Sequence, residues 1–341
     1  MTDGAHEPSV SARRQSVSPR LRYLAIRIIQ VVPTLLLVVL FSFVLLHLAP
    51  GDPAQVLAGE AGGATPEYLS QLRMSYGLDK PVYVQFVLYV QNVCRGNLGF
   101  SFRANMPVLE LISARLTPTL LLAGASLIIA MSVGLVAGAI AALYRGKAID
   151  ILISNTALAV YATPSFLLGI GLIVLLSLHL ELLPTGGYVD VSSDAGWIAY
   201  LSSLTKHLVM PAVALGAFYA AIYARFVRAA MLEVYTHQHV SGARARGLSH
   251  FQIAIRHVLR NSLLPFVTLV GLQAGSILSG AILVETVFAW PGLGRLAYEA
   301  MQQRDYNLLS GVVLCSGLVV MAVNVAVDAV YAVLDPRIEL R

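Results

Sequence analysis

The feature that most restricts what this chain can become is a succession of long stretches without a formal charge. Leu116–Leu143 and Ile151–Leu178 contain no Asp, Glu, Lys or Arg, and each is long enough to cross a bilayer core, which takes about 20 helical residues. Shorter runs of the same kind cover Ile28–Leu46, Leu208–Ala224, Leu263–Val284 and Tyr306–Val327. A backbone surrounded by hydrocarbon must satisfy its own hydrogen bonds, so open runs of this length are read as helices. The expectation is an all-α polytopic membrane protein with six transmembrane helices. Only 12% of the residues are charged, too few to coat a soluble globule of this size. The formal charge of +5 could suit nucleic acid, but the basic residues gather in short segments beside apolar runs. Membrane topology accounts for that placement, and no nucleic-acid partner is expected.

Taken in order, residues 1–22 are rich in Ser and Arg, lack apolar periodicity, and are read as a disordered cytoplasmic tail. Arg13 and Arg14 hint at twin-arginine export, which the following residues do not support. Residues 23–48 form the first span, uncleaved because secretory apolar cores are shorter. Residues 49–115 are an external helical insertion between the first and second spans. It opens on the turn Pro50-Gly51-Asp52-Pro53, and short helices are expected over Pro66–Tyr76 and Pro81–Arg95. Residues 116–334 carry the remaining spans, with a cytoplasmic loop at 229–262, and residues 335–341 return to the cytoplasm. Arg145 and Lys147 place the Tyr144–Asp150 loop inside, Arg225 and Arg228 close the fourth span inside, and Glu181–Thr205 has no Lys or Arg and is external. Gly134 and Gly138 are a small-xxx-small pair that can admit a neighbouring helix. Pro164 should kink the third run, for gating or for shape. Cys315 lies in an apolar run and Cys94 in a loop, so neither a disulfide nor a metal site is expected.

One polar stretch, Ala229–Pro265, combines clustered positive charge with helix punctuation. Gly247 sits where a helix would end in a left-handed residue. Ser249 can cap the next helix, whose third residue, Gln252, completes a capping box. Phe251, Ile255, Val258 and Leu259 fall on one face, expected to pack on the protein body, while Gln252, Arg256 and Arg260 recur every fourth residue on another. Between the helices, Ser241, Gly242, Ala243, Arg244, Arg246 and Gly247 interleave small side chains with two guanidinium groups. Small residues permit close approach and Arg forks can pair with carboxylates, so a docking element is expected here.

The segment ARARGLSHFQIAIRHVLRNSLLP, Ala243–Pro265, resembles the Glu-Ala-Ala loop of ABC importer membrane subunits, and in detail the first membrane subunit of the dipeptide/oligopeptide permease branch. Ser241 stands where that loop usually has its Glu, and Gly242 where it has its first Ala. Three further segments are similar to the same branch: GLDKPVYVQFVLYVQNVCRGNLGFSF (residues 77–102, with Asn97 where an Asp is usual), LPTGG (183–187) and FAWPGLGRL (288–296). The resemblance implies a type I ABC importer permease fold and makes 241–247 the coupling element that sits in a cleft of a cytoplasmic ATPase. It also implies a homologous second permease subunit, two cytoplasmic ATPase subunits and an extracytoplasmic solute-binding protein, with ATP and Mg used by the partners.

No Gly-x-x-x-x-Gly-Lys-Ser/Thr phosphate loop occurs, so this chain lacks the backbone cradle and Lys of that class of ATP hydrolysis, and it is not expected to be an enzyme or to bind a cofactor. A proton- or sodium-driven carrier would carry ionisable residues deep in several spans, and these spans carry almost none. His237 and His239 have no third ligand beside them, so no metal is expected. Asp328 reads as structural. In the fifth span, Thr268, Gln273, Ser276 and Ser279 are path-lining candidates, with helix-to-helix hydrogen bonding an equal alternative. Cargo stays open among peptides, nickel, haem and glutathione. A stand-alone secondary carrier and a membrane scaffold are the rivals outside the class.

Overall fold

The computed structural model describes residues 32–44, 47, 65–76, 79–101, 103–190 and 196–334. The two terminal tails and the Pro50–Pro53 turn lie outside them. The first helix, α1, spans Val32–Val44. Helices α2 (Pro66–Tyr76) and α3 (Val82–Cys94) follow, at the two places where proline marked helix starts. A two-residue antiparallel ladder, Phe100–Ser101 against Met106–Pro107, is the one strand pair among the described residues in an otherwise helical structure. It leads directly into α4 (Val108–Leu143).

The third apolar run does not form one kinked helix. It divides into α5 (Ala148–Ala162) and α6 (Ser165–Leu172, continued as a π-helix to His179), bent by 104°. The cause is local: the residue before a proline is driven out of the helical region, and Thr163 and Pro164 are both extended, with ψ of 126° and 138°. Two successive extended residues redirect the chain where a simple proline kink would have preserved it.

Helix α7 (Gly196–Val234) is the central element. In its most apolar window 67% of the residues are buried, against 22% in α4, so α7 is enclosed by protein while much of α4 faces outward through Ile128, Val133 and Val136. The two helices pack together through the glycines singled out above. A Cβ on Gly134 would lie 2.5 Å from Cβ of Tyr223, and one on Gly138 would lie 2.5 Å from the Ala224 carbonyl oxygen. Gly138→Val is therefore expected to force α4 off α7, at a cost of about 1–3 kcal/mol, read as a lowered thermal midpoint of the detergent-purified chain. An unchanged midpoint would mean that these helices do not meet here.

After α7 come α8 (Gln238–Ala245), α9 (His250–Ile253), a π-helical stretch over Ala254–Leu259, α10 (Arg260–Val287), α11 (Leu293–Gln302) and α12 (Tyr306–Leu334). Among the described residues, four helical units are long and apolar enough to cross a membrane: α4, α7, the α9–α10 unit over His250–Leu278, and α12 over Tyr306–Val327. The bent α5–α6 pair makes a fifth if it counts as one span. Of the run expected to supply the sixth, the described helix α1 is shorter than a span.

Candidate functional site

The basic turn beneath α7 is built from local hydrogen bonds. Helix α7 unwinds through Tyr235, Thr236 and His237, whose N–H groups donate to the carbonyls of Met231, Glu233 and Val234. His237 is extended and α8 starts behind it. At the other end of α8, the Gly247 N–H donates to the Arg244 carbonyl at 3.0 Å and the Leu248 N–H to the Ala243 carbonyl at 3.4 Å. That nested pair is a Schellman closure, and Gly247 takes the φ of +80° that it needs. Two residues later Ser249 opens α9 with the expected capping box: its Oγ accepts from the Gln252 N–H at 3.3 Å, and its own N–H donates to Gln252 Oε1 at 3.0 Å. One residue, Leu248, separates the C-terminal closure from the N-cap, so the elbow between α8 and α9 has little freedom.

Burial divides α8 into two sides. Val240 and Ala243 are buried in the same core cluster as Met231, Val234, Ile253 and Val258, whereas Ser241, Gly242, Arg244, Ala245, Arg246 and Gly247 are exposed. The smallness of Ala243 thus serves close approach to its own chain, not to a partner. Among the described residues, no carboxylate pairs with Arg244 or Arg246. His239 is engaged from below: Asn261 Nδ2 donates to its Nε2 at 3.1 Å and to the His257 carbonyl at 2.8 Å. The Tyr235 and His250 rings stack with centroids 5.7 Å apart, a second tie between α7 and α9.

The helix face expected to pack on the body needs correction. Ile253, Ala254 and Val258 are buried, while Phe251 is 65% and Ile255 40% exposed. The π-helical stretch over Ala254–Leu259 adds residues to the turn, so a face counted at 3.6 residues per turn drifts off the core. Phe251 and Ile255 consequently share the outward side with Gln252 and Arg256.

The four path candidates are not equivalent. At 100° per residue, Thr268, Ser276 and Ser279 share one face of α10 with Leu272, while Gln273 lies well off it. Ser276 is exposed and Leu272 is 77% exposed, while Thr268 is half-buried, so the Leu272–Ser276 part of this face is open among the described residues. The Thr268 hydroxyl donates to the Leu264 carbonyl at 3.1 Å, back onto its own helix. Gln273 has no hydrogen-bond partner among the described residues. The side chains of Ser279 and Asp328 lie outside the described ones. Opposite this face, Phe266, Val270, Ala274, Ile277 and Ala281 are buried; Gly271 and Gly275, beside Thr268 on the edge of the face, meet Val327 and Asn324 of α12.

A second assembly, at the other end of α10, has no individual residue signal in the sequence. Glu285 is fully buried. Its Oε1 accepts from Thr119 Oγ1 at 2.8 Å and its Oε2 from the Arg295 N–H at 3.0 Å, while the Thr119 oxygen accepts from the Leu293 N–H at 2.7 Å. Trp290 Nε1 donates to the Pro118 carbonyl at 2.9 Å. Burial pushes the Glu285 carboxyl above its ordinary pKa, against the opposing pull of the Arg295 N–H, the Thr119 hydroxyl and the Gly294 N–H. A Cβ at Gly292 would lie 2.1 Å from Glu285 Oε1, so that position must be Gly for the carboxylate to fit. The Gly187 N–H donates to the Phe288 carbonyl at 2.8 Å, and Tyr188 meets Trp290 edge-on at 4.9 Å. The LPTGG and FAWPGLGRL segments, far apart in sequence, therefore form one knot. The end of the 77–102 segment is fastened separately: Ser101 Oγ donates to Asp305, which also caps α12 through the Leu308 N–H, and Asn307 Nδ2 donates to the Phe100 carbonyl at 2.7 Å.

Comparison with known proteins agrees with this architecture. Residues 134–340 match the family described as binding-protein-dependent transport system inner membrane component, and residues 20–123 match the N-terminal family of such membrane components. The chain is 38% identical over 335 residues to the dipeptide transport system permease protein DppB of Escherichia coli K12, covering 93% of this chain and 98% of that protein. It is 37% identical over 321 residues to the glutathione transport system permease protein GsiC of the same strain, covering 94% and 100%. Among solved structures, an inward-facing form of the MetNI methionine ABC transporter aligns with a TM-score of 0.52 at 18% identity, over 67% of this chain and 97% of that one, a likeness of fold. The match across most of its length makes this chain a member of the binding-protein-dependent transport system inner membrane component family.

Proposed function

We propose that the chain is the membrane-spanning permease subunit of an ATP-driven ABC importer that brings short peptides across the cell inner membrane. Both termini and the α8–α9 elbow lie in the cytoplasm, as the basic residues around the elbow favour. A homologous second permease faces it and the two halves enclose the path. Two cytoplasmic ATPase subunits bind and hydrolyse Mg-ATP, and an extracytoplasmic solute-binding protein delivers the cargo. The open face of α10, with Thr268 and Ser276, borders the path; Gln273 and Ser279 belong to the same proposal. The observation that carries the reading is the elbow itself. It is closed at both helix ends, seated on the core by Val240 and Ala243, and presents Ser241, Gly242, Arg244, Arg246 and Gly247 outward. A rigid exposed element of this kind can receive a push from a partner and pass it to α7.

The 38% identity to a dipeptide permease supports a peptide cargo, and the 37% identity to a glutathione permease supports glutathione, itself a short peptide, as the second reading. The full complex in proteoliposomes, given its binding protein and ATP, is expected to accumulate labelled dipeptide in competition with unlabelled dipeptide. Preferential uptake of glutathione selects the second reading. Uptake by this chain alone, without ATPases, would overturn both in favour of a stand-alone carrier.

A further inference from the structure

Helix α5 lies against α7 and α4. Asp150 and Ala157 are its buried residues, and Tyr161 near its end stacks on Phe218 at 5.4 Å under the Arg225 guanidinium. The strongest hold is Asp150. Its side chain is 5% exposed, and Arg228 of α7 grips it with both prongs, Nε to Oδ1 at 2.6 Å and Nη2 to Oδ2 at 2.8 Å. The Gly146 N–H at 2.9 Å and the Ser154 hydroxyl at 3.3 Å complete the carboxylate's partners. A bidentate fork fixes orientation as well as distance, so α5 cannot swivel on α7 at this end without breaking it.

Arg228 lies in the last turns of α7, just ahead of Met231 and Val234, against which α8 is seated. Beyond α5 the chain turns through 104° at Thr163–Pro164 into α6. Gly169 of α6 packs so closely on Phe288 that an added Cβ would lie 2.8 Å from its ring. One line of contacts thus runs from the elbow, along α7, across the Asp150–Arg228 fork, through α5 and the bend, to the Glu285 knot at the far end. Resting on the importer reading above, we infer that Asp150 and Arg228 are positioning residues for energy coupling: through their fork, displacement of the α8 elbow on α7 is passed to α5 and so to the outer knot.

The test uses the whole complex in proteoliposomes and measures labelled dipeptide and, in parallel, labelled glutathione accumulated per ATP hydrolysed. Asp150→Asn, which keeps shape and removes charge, is expected to lower that ratio about tenfold, within the range of coupling effects from single substitutions. The exchange Asp150→Arg/Arg228→Asp is expected to recover part of it. A purely structural pair would instead reduce the amount of assembled complex and leave the ratio of the surviving complex unchanged, and that result overturns the inference. Should Asp150→Asn fail to assemble, Asp150→Cys/Arg228→Cys joined by a reducible bifunctional thiol reagent, on a Cys94→Ser/Cys315→Ser background, gives a second reading. Coupling is expected while the link is intact and lost when it is reduced in the same vesicles; equal ratios before and after reduction refute the grip. Wild-type complex that shows no ATP-driven uptake refutes the importer reading itself, whereas wild-type uptake with an unaltered Asp150→Asn ratio refutes the grip alone.

Discussion

Glu285→Ala lowers the thermal midpoint of the purified protein by about 3–6 °C, the shift expected for roughly 2–4 kcal/mol in a chain of this size. The carboxylate is fully buried and ties α4, through Thr119, to the turn that opens α11, through the Arg295 N–H. Truncation orphans that N–H and the Thr119 hydroxyl in a space water does not readily fill, and each orphan costs about 1–3 kcal/mol. Part of that loss is offset because the desolvated charge is removed as well. Glu285→Gln separates the contributions: the amide keeps an oxygen for one donor but turns an NH2 toward the other, so its midpoint should fall between those of the wild type and Glu285→Ala. Gly292→Ala, whose methyl would lie 2.1 Å from Glu285 Oε1, should imitate Glu285→Ala. Differential scanning fluorimetry in detergent measures all of these. A Glu285→Ala midpoint equal to wild type would mean that the knot does not join these elements.

How much of this could be read in the sequence depends on distance along the chain. The Gly247 closure and the Ser249–Gln252 capping box involve residues within a few positions of each other, and both are present. Gly134 and Gly138 announced a close helix neighbour, though not that it would be α7. The long-range pairs were hidden: Glu285 directly follows the Leu263–Val284 run, and nothing local reveals Thr119, separated from it by 166 positions. Arg228 likewise reads as a topological charge until Asp150 is placed against it from 78 positions away. Phe251 and Ile255 were misplaced for a different reason. A periodicity argument assumes 3.6 residues per turn, and the π-helical stretch breaks that assumption at the point where the buried face is decided. Family resemblance picked out the 183–187 and 288–296 segments separately; only the fold puts them in contact.

Gly247→Pro is expected to uncouple the importer without preventing its insertion. Proline holds φ near −65°, whereas Gly247 has φ of +80°, and proline also removes the N–H that closes α8 onto the Arg244 carbonyl. The elbow would lose its fixed angle while the apolar spans keep every contact, so membrane yield should stay near wild type while uptake per ATP falls by about tenfold or more. Ala243→Glu has a different expected outcome from the one suggested by a docking surface made of small residues. Ala243 is fully buried against the chain's own core, so a carboxylate there must either be desolvated, at several kcal/mol, or pull α8 off its seat. The observable difference lies in the isolated chain: Ala243→Glu should lower its thermal midpoint before any ATPase is added, whereas Gly247→Pro should act mainly in the assembled complex. Normal uptake by Gly247→Pro complexes would show that the elbow is not the transmitting element, since no other part of the α8–α9 connection depends on a left-handed residue.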